Sequence, residues 1–499
     1  MELETPLSVD ELASVLISDR LESERKAAER KRSEGGKMYL PKDLYDVGDK
    51  VVFPDLEWRA GEVTNVRDAR SYNETNHKVI KVEFEDGSVR EYASGLESHK
   101  LNIPPEVDKN DPMLSPEGIM ENYGESIIAK LREALIDNDD FVYIAGKWFP
   151  RALLVEVNIG NLNLAEAVLD MNNGGPLPTS EILEMVEMPE GVNKKLAEFS
   201  LDLALQEDNR FDEVGSAGKV AWFLKRMEPE SVQKTPLFLR YSPIDFPEDG
   251  LDEQMITLAR RLDDELSPNS GASDTKKGEA DVTLIFPHWR AGTLPLSPQL
   301  AHLFPTAYES PRVQFKLIDG DSGDAFSGWV VRLQKYVYGL RDWYLEKGIM
   351  PGSKIRLKRG KNPGEVIVNT EPHRSAKEWV RTALIGADGG VVYAMLKQPV
   401  STTYDDWMMI AMPADTTPLD EAWKKREHNP LPFEQVVVDT LRELAKLNPQ
   451  SHVHAAELYS AVNVVYRTPP EPVMALLASR PWFSHVGDLH FRYDDSAGS

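Results

Sequence analysis

Cations on one face of a strand can hold phosphate, and one stretch of this chain has that pattern. Lys354, Arg356 and Lys358 alternate with Ile355 and Leu357, so a strand here sends charge to one side and apolar groups to the other. Arg359 and Lys361 continue the charge into a turn closed by Pro363-Gly364, and no acid intervenes before Glu365. Such a ribbon suits phosphate contact. A solvated edge strand guarded by lysines has the same pattern.

Other chemistry fails on a residue its mechanism needs. Gly215-Ser216-Ala217-Gly218-Lys219 lacks the spacing of a phosphate-binding loop and the hydroxyl after its lysine. Gly320-Asp321-Ser322-Gly323 continues with Asp324 where a nucleophile elbow needs glycine. Asp319 to Asp324 transposes the Gly and Asp of a calcium loop, and Val330 stands where the bidentate Glu belongs, so an acidic turn is expected. His452 and His454 are expected to point apart once a helix begins, which leaves no metal set. Acidic pairs such as Asp405-Asp406 are common in a chain this acidic and are not evidence of acid–base catalysis. No catalytic residue, metal or cofactor is expected.

The scaffold holding the ribbon must be divided. A chain of 499 residues exceeds one hydrophobic core. With 41% hydrophobic and 28% charged residues it has the composition of folded domains. The absence of cysteine excludes disulfides and thiolate chemistry and fits a reducing compartment. Met1 to Arg20 has no basic start followed by an apolar run, so no secretory leader is expected, and Asn73-Glu74-Thr75 reads as a chance sequon. No apolar run is long enough for a membrane span. The expected location is cytoplasmic, with nucleoid association. The net charge of −25 disfavours nucleic-acid binding over the whole surface. Yet fourteen basic and eight acidic residues between Arg312 and Arg381 make that stretch +6, leaving −31 for the rest.

Along the chain, residues 1–37 hold a charged helix, with Glu and Lys or Arg interleaved from Leu21 to Arg32 and a stop at Gly35-Gly36. Residues 38–103 form short strands: Ile80, Val82 and Phe84 alternate with charges, and Asp86-Gly87 makes a hairpin turn. Prolines 104, 105, 112 and 116 mark a linker. Within 117–240, Leu162–Met171, Thr179–Met188 (capped by Thr179 or Ser180) and Asn193–Gln206 are helical, followed by a hairpin from Phe211 to Leu224. Residues 266–281 compose a linker, and 282–425 a strand-rich, barrel-like domain with one helix over Leu333–Lys347. Residues 428–499 repeat the order of three helices and a hairpin, and Phe211-x-x-Val214-Gly215 recurs as Phe483-x-x-Val486-Gly487. The expected fold is multidomain α+β: a small N-terminal β-barrel, two winged helices, and a mixed pseudobarrel between them.

Three resemblances add function. Val47-Gly48-Asp49-Lys50-Val51-Val52, Trp58 and Gly61-Glu62-Val63 resemble Tudor-like or KOW-like barrels, which bind peptides or nucleic acid. Ala455-Ala456-Glu457-Leu458-Tyr459, Val462-Asn463-Val464 and the Phe483–Tyr493 hairpin resemble the HARE-type helix-turn-helix, a winged-helix family that includes a domain of the bacterial RNA polymerase delta subunit. Membership implies binding of nucleic acid or polymerase. The third helix, Pro470–Ser479, departs from a base-reading helix because its only charge is Glu471. Gly328-Trp329-Val330-Val331, Trp343-Tyr344 and Met350 to Ile355 resemble the pseudobarrel DNA-binding domains of plant transcription factors and restriction-enzyme effector modules. That resemblance makes Arg332, Lys335, Lys354, Arg356, Lys358, Arg359 and Lys361 candidate phosphate contacts. The expectation is a non-enzymatic DNA- or transcription-associated binding protein, partnered by nucleic acid and by RNA polymerase or another transcription protein, and not by a membrane. A protein–protein adaptor is the alternative, and a restriction-type nuclease-associated protein the third.

Overall fold

A computed structural model describes residues 5–34, 36–56, 58–69, 77–103, 115–189, 191–247, 250–267, 278–386 and 390–494. The chain is mixed α+β and divides into two units, Met1–Leu154 and Val155–Ser499. The proline-marked stretch 104–114, the sequon and most of the expected 266–281 linker lie outside the described residues.

In the first unit, strand β1 (Leu7–Ser8) leads into helix α1 (Val9–Glu34). Val9, Ala13 and Ile17 are buried, so the first half of this helix is packed, while residues 22–27 of its charged stretch are exposed. Its charged middle carries the expected pairs, Arg20 with Glu24 at 2.7 Å and Lys26 with Glu22 at 2.8 Å. Strands β2 (Lys37–Met38), β3 (Lys50–Phe53), β4 (Arg59–Asp68), β5 (Lys78–Phe84) and β6 (Val89–Ser94) form one sheet in sequence order. The alternation in β5 buries Ile80, Val82 and Phe84 against Tyr39, Val51 and Phe53. Helix α2 (Pro116–Ile136) and the hairpin β7 (Phe141–Ile144)–β8 (Lys147–Pro150) complete the unit, with β1 paired to β8.

The second unit opens with α3 (Ile159–Met171), α4 (Thr179–Leu183), α5 (Lys194–Glu207), β9 (Phe211–Glu213) and β10 (Trp222–Leu224). Asn158 and Asn161 form a capping box that starts α3. Helix α4 is shorter than its apolar spacing suggests, and neither expected residue caps it. Pro178 occupies that position, and the Thr179 hydroxyl is instead taken inward by Asp202. One extended residue between α3 and α4, Leu177, bridges Trp222 on β10 through both backbone hydrogen bonds, at 3.1 and 2.8 Å.

After α6 (Glu230–Gln233) and α7 (Glu253–Leu262), a seven-stranded half-barrel is assembled from β11 (Glu279–Thr283), β12 (Thr293–Pro295), β13 (Arg312–Asp319), β14 (Ala325–Val331), β15 (Tyr336–Tyr338), β16 (Lys354–Arg359) and β17 (Glu365–Asn369). Its order is β11-β16-β17-β13-β14-β15-β12, parallel only at β13–β17. Short helices α8 (Phe286–Ala291) and α9 (Arg341–Lys347) accompany it. Two expectations are corrected here. The linker ends early, because Glu279–Asp281 already belong to β11. Leu333–Lys347 is not one helix either: Tyr336–Tyr338 pairs with both β14 and β12, and Gly339, at φ 124°, turns the chain before α9. Aromatic and β-branched residues there gain more from two strand neighbours than from a helix.

The long ribbon β18 (Pro372–Ile385)–β19 (Val391–Thr402) follows, then α10 (Thr417–His428), α11 (Phe433–Ala445), β20 (Val453–His454), α12 (Ala455–Val465), α13 (Pro470–Ser479), β21 (Phe483–Gly487) and β22 (His490–Tyr493). The last sheet has the order β20-β22-β21. The same topology thus occurs twice: helix, short extended segment, two helices, hairpin, with the extended segment beside the second hairpin strand. The two Phe-x-x-Val-Gly copies differ in surroundings. Phe211 and Phe483 are both buried, but Val214 is buried beside Trp329 and Val331 whereas Val486 is exposed.

Candidate nucleic-acid interface

Alternation along β16 places Ile355 and Leu357 in the core, both fully buried, and Lys354, Arg356 and Lys358 on the outer face, as their spacing predicts. The ribbon is not an edge, however. Strand β11 lies outside it and sets Asp281 opposite Arg356 and Glu279 opposite Lys358. Arg356 Nε lies 2.8 Å from Asp281 and its Nη2 lies 2.9 Å from Glu371, while Lys358 Nζ lies 2.9 Å from Glu279. These cross-strand carboxylates come from the segment read as a linker, so sequence distance hid them.

The remaining candidates divide between the two ends of β16. Arg359 and Lys361 lie at the end where β17 begins, and Arg359 donates to the carbonyl of His302. Arg332 and Lys335 lie on the turn after β14, at the same end of the sheet through β13. Arg332 is half-buried and donates to the Ser310 carbonyl at 2.8 Å, and Lys335 is exposed at φ 55°. Lys354 stands alone at the opposite end. Lys335, Lys354 and Lys361 make no ion pair among the described residues, and Lys316, on the outer face of β13, joins them. On the outer face Lys316, Lys354, Arg356 and Lys358 are balanced by Glu279, Asp281, Glu365 and Glu371, and the positive excess comes from Arg359 and Lys361, exposed at the turn.

The rejected motifs have structural roles. Asp319 and Asp321 share Lys347, each at 2.9 Å, so their loop is an acidic turn partly offset by one lysine. Residues 215–219 join β9 to β10, and Ala217 donates to the Thr306 carbonyl. No group of metal-ligand side chains able to hold an ion occurs among the described residues. Nor is any helix among them long and apolar enough to cross a membrane.

The histidine expectation is corrected. His452 and His454 are two residues apart on an extended segment, so both face one side, and each ring meets His490 on β22, at 4.9 and 5.1 Å between centroids. Trp407 stacks on His454 at 4.3 Å. Burial, then His490, pushes the His454 imidazole down to about 4.

The C-terminal module turns its third helix inward. On α13, Pro470 and Pro472–Leu477 are buried, and the helix packs against α7; every residue of α12 is buried too. The lone charge foreseen on α13, Glu471, accepts from the Ser267 hydroxyl at 2.9 Å. Sequence reasoning missed one further surface, Trp379 and Lys397 paired across β18–β19. Its signal was a tryptophan standing among outward positions of a long alternating run. No known protein family, characterised protein or solved structure matches this chain.

Proposed function

We propose that the chain is a non-enzymatic, DNA- or transcription-associated binding protein whose half-barrel contacts nucleic-acid phosphate. The observation carrying this reading is the line of cations on the outer face of β16, continued at Arg359 and Lys361, in a protein otherwise strongly acidic. The ion pairs along that line join exposed side chains, contribute little in water, and are readily exchanged for phosphate. The seven-stranded order with two short helices suits a pseudobarrel DNA-binding domain. The two repeated modules are read as winged helices, the C-terminal one HARE-type, and their topology supports that reading. With α13 buried, the C-terminal module acts as a brace for the half-barrel, and base reading falls to other elements.

A protein–protein adaptor is the second reading, favoured by the carboxylates that already occupy Arg356 and Lys358. Titration of labelled duplex DNA with the full chain over a salt series separates the two. Phosphate contact requires affinity to fall steeply with salt. Absence of binding at low salt refutes it.

A further inference from the structure

On the outward face of the β18–β19 ribbon, Trp379 is 63% exposed and stands directly across from Lys397, whose ammonium lies 5.5 Å from the indole centroid. Lys377 is two residues away on the same face. Neither lysine has a carboxylate partner among the described residues. The acid between Lys377 and Trp379, Glu378, points to the other face, where it accepts from Tyr404 and pairs with His373. From Arg381 on, the face is covered, for the Arg381 side chain is 10% exposed. Its guanidinium donates to the carbonyls of Trp407 and Met409 at 3.1 and 3.0 Å and pairs with Glu457 at 2.7 Å. Trp407, 39% exposed, lies on the His454 ring at an interplanar angle of 16°.

We infer that this face is a stacking platform for single-stranded nucleic acid, with Trp379 taking a base and Lys377 and Lys397 taking phosphates. An indole this exposed in a regular ribbon leaves a large apolar area in water. Among partners, a single strand offers both complements at once: unpaired bases have free π faces, and the backbone supplies the negative charge that unpaired lysines lack. A duplex keeps its bases stacked inside and gains nothing from the Trp379 indole. A protein partner would need an apolar surface with carboxylates set opposite both lysines, whereas every stretch of single strand carries both complements. The inference rests on the nucleic-acid reading above and names its strand form and a second contact surface.

The test uses the full chain, a fluorescein-labelled thymidine 20-mer and a labelled 20-base-pair duplex, read by anisotropy and by tryptophan quenching. The single strand is expected to quench tryptophan emission. Trp379→Ala is expected to weaken its binding about 5- to 100-fold, as loss of one stacked base does, with Trp379→Phe between the two. Lys397→Ala should flatten the salt dependence. Duplex binding should be insensitive to Trp379→Ala and sensitive to Lys361→Ala. Single-strand affinity unchanged in Trp379→Ala overturns the inference and leaves the phosphate reading standing if the duplex still binds. Failure of both nucleic acids to bind at low salt overturns the broader reading as well. Self-association that Trp379→Ala abolishes, without any oligonucleotide binding, assigns the face to a second copy and also overturns it.

Discussion

The guanidinium of Arg467 and the carboxylate of Asp264 meet in a two-pronged ion pair, Nη2 to Oδ1 at 2.8 Å and Nη1 to Oδ2 at 2.9 Å, with both side chains 1% exposed. Glu265 adds a second carboxylate at 2.6 Å and reaches His288 on α8 at 3.1 Å, and the Tyr459 hydroxyl on α12 donates to Asp264 at 2.6 Å. The turn after α7, the half-barrel's helix α8 and the link from α12 to α13 are joined at this one buried point.

Arg467→Met should therefore strand two buried carboxylates and cost about 3–5 kcal/mol, the range for breaking a buried pair by removing one partner. Arg467→Lys should restore only part, because an ammonium cannot make the two-pronged contact. Urea unfolding measures both. Against the cost of burial, Arg467 and His288 hold the Glu265 carboxyl below the ordinary range. Its contribution is present above that range and is lost as pH falls from there through the lowered folded value.

Glu228 predicts the opposite slope. Its side chain is fully buried, its carboxyl faces that of Asp212, and Arg312 lies 3.6 Å away. Burial, then neighbouring Asp212, pushes this carboxyl up to about 8. The folded chain keeps a proton that the unfolded chain loses above the ordinary carboxylate range. Stability should then fall with rising pH across that window, by up to about 1.4 kcal/mol per unit. Glu228→Gln removes the titration, so its urea midpoint should match the parent near pH 5 and exceed it near pH 8. Parallel curves for the two proteins would refute the assignment.

Trp222 holds the first repeated module through its indole nitrogen, which donates to Asp202 at 2.9 Å and lies 3.1 Å from the Thr179 hydroxyl. Trp222→Phe removes a buried donor to a carboxylate and should cost about 1–3 kcal/mol. Thr179→Val should act in the same direction. Thermal melting of the two variants checks the pair, and a double variant losing less than the two losses combined would show that they belong to one network.

The half-barrel cations should not be equivalent. Lys361→Ala and Lys354→Ala should each lower the slope of log affinity against log salt by about 0.9 if each holds one phosphate. Arg356→Ala should change it less, since Asp281 and Glu371 already share that charge. Equal effects at all three positions would show that the carboxylates release Arg356 fully on binding.

Local patterns carried much of this structure. Alternation in 354–358 and 78–84 determined which side chains are core, because a strand's two faces follow from covalent geometry. The helical spacings and turn residues of 433–493 placed three helices and a hairpin within a residue or two. The same reasoning missed Leu177, since one bridging residue has no period to detect, and misread 336–338, whose strand character depends on neighbours far along the chain.

By itself, then, the sequence determined the element types, the faces they bury, and the repetition of one module order. Tertiary structure alone decided what those faces meet. It placed Glu279 and Asp281 beside Lys358 and Arg356, brought His452 and His454 onto His490, and covered α13 with α7. Each pairing joins segments whose proximity depends on loop closure and the total area buried, and neither is written in the spacing of neighbouring residues.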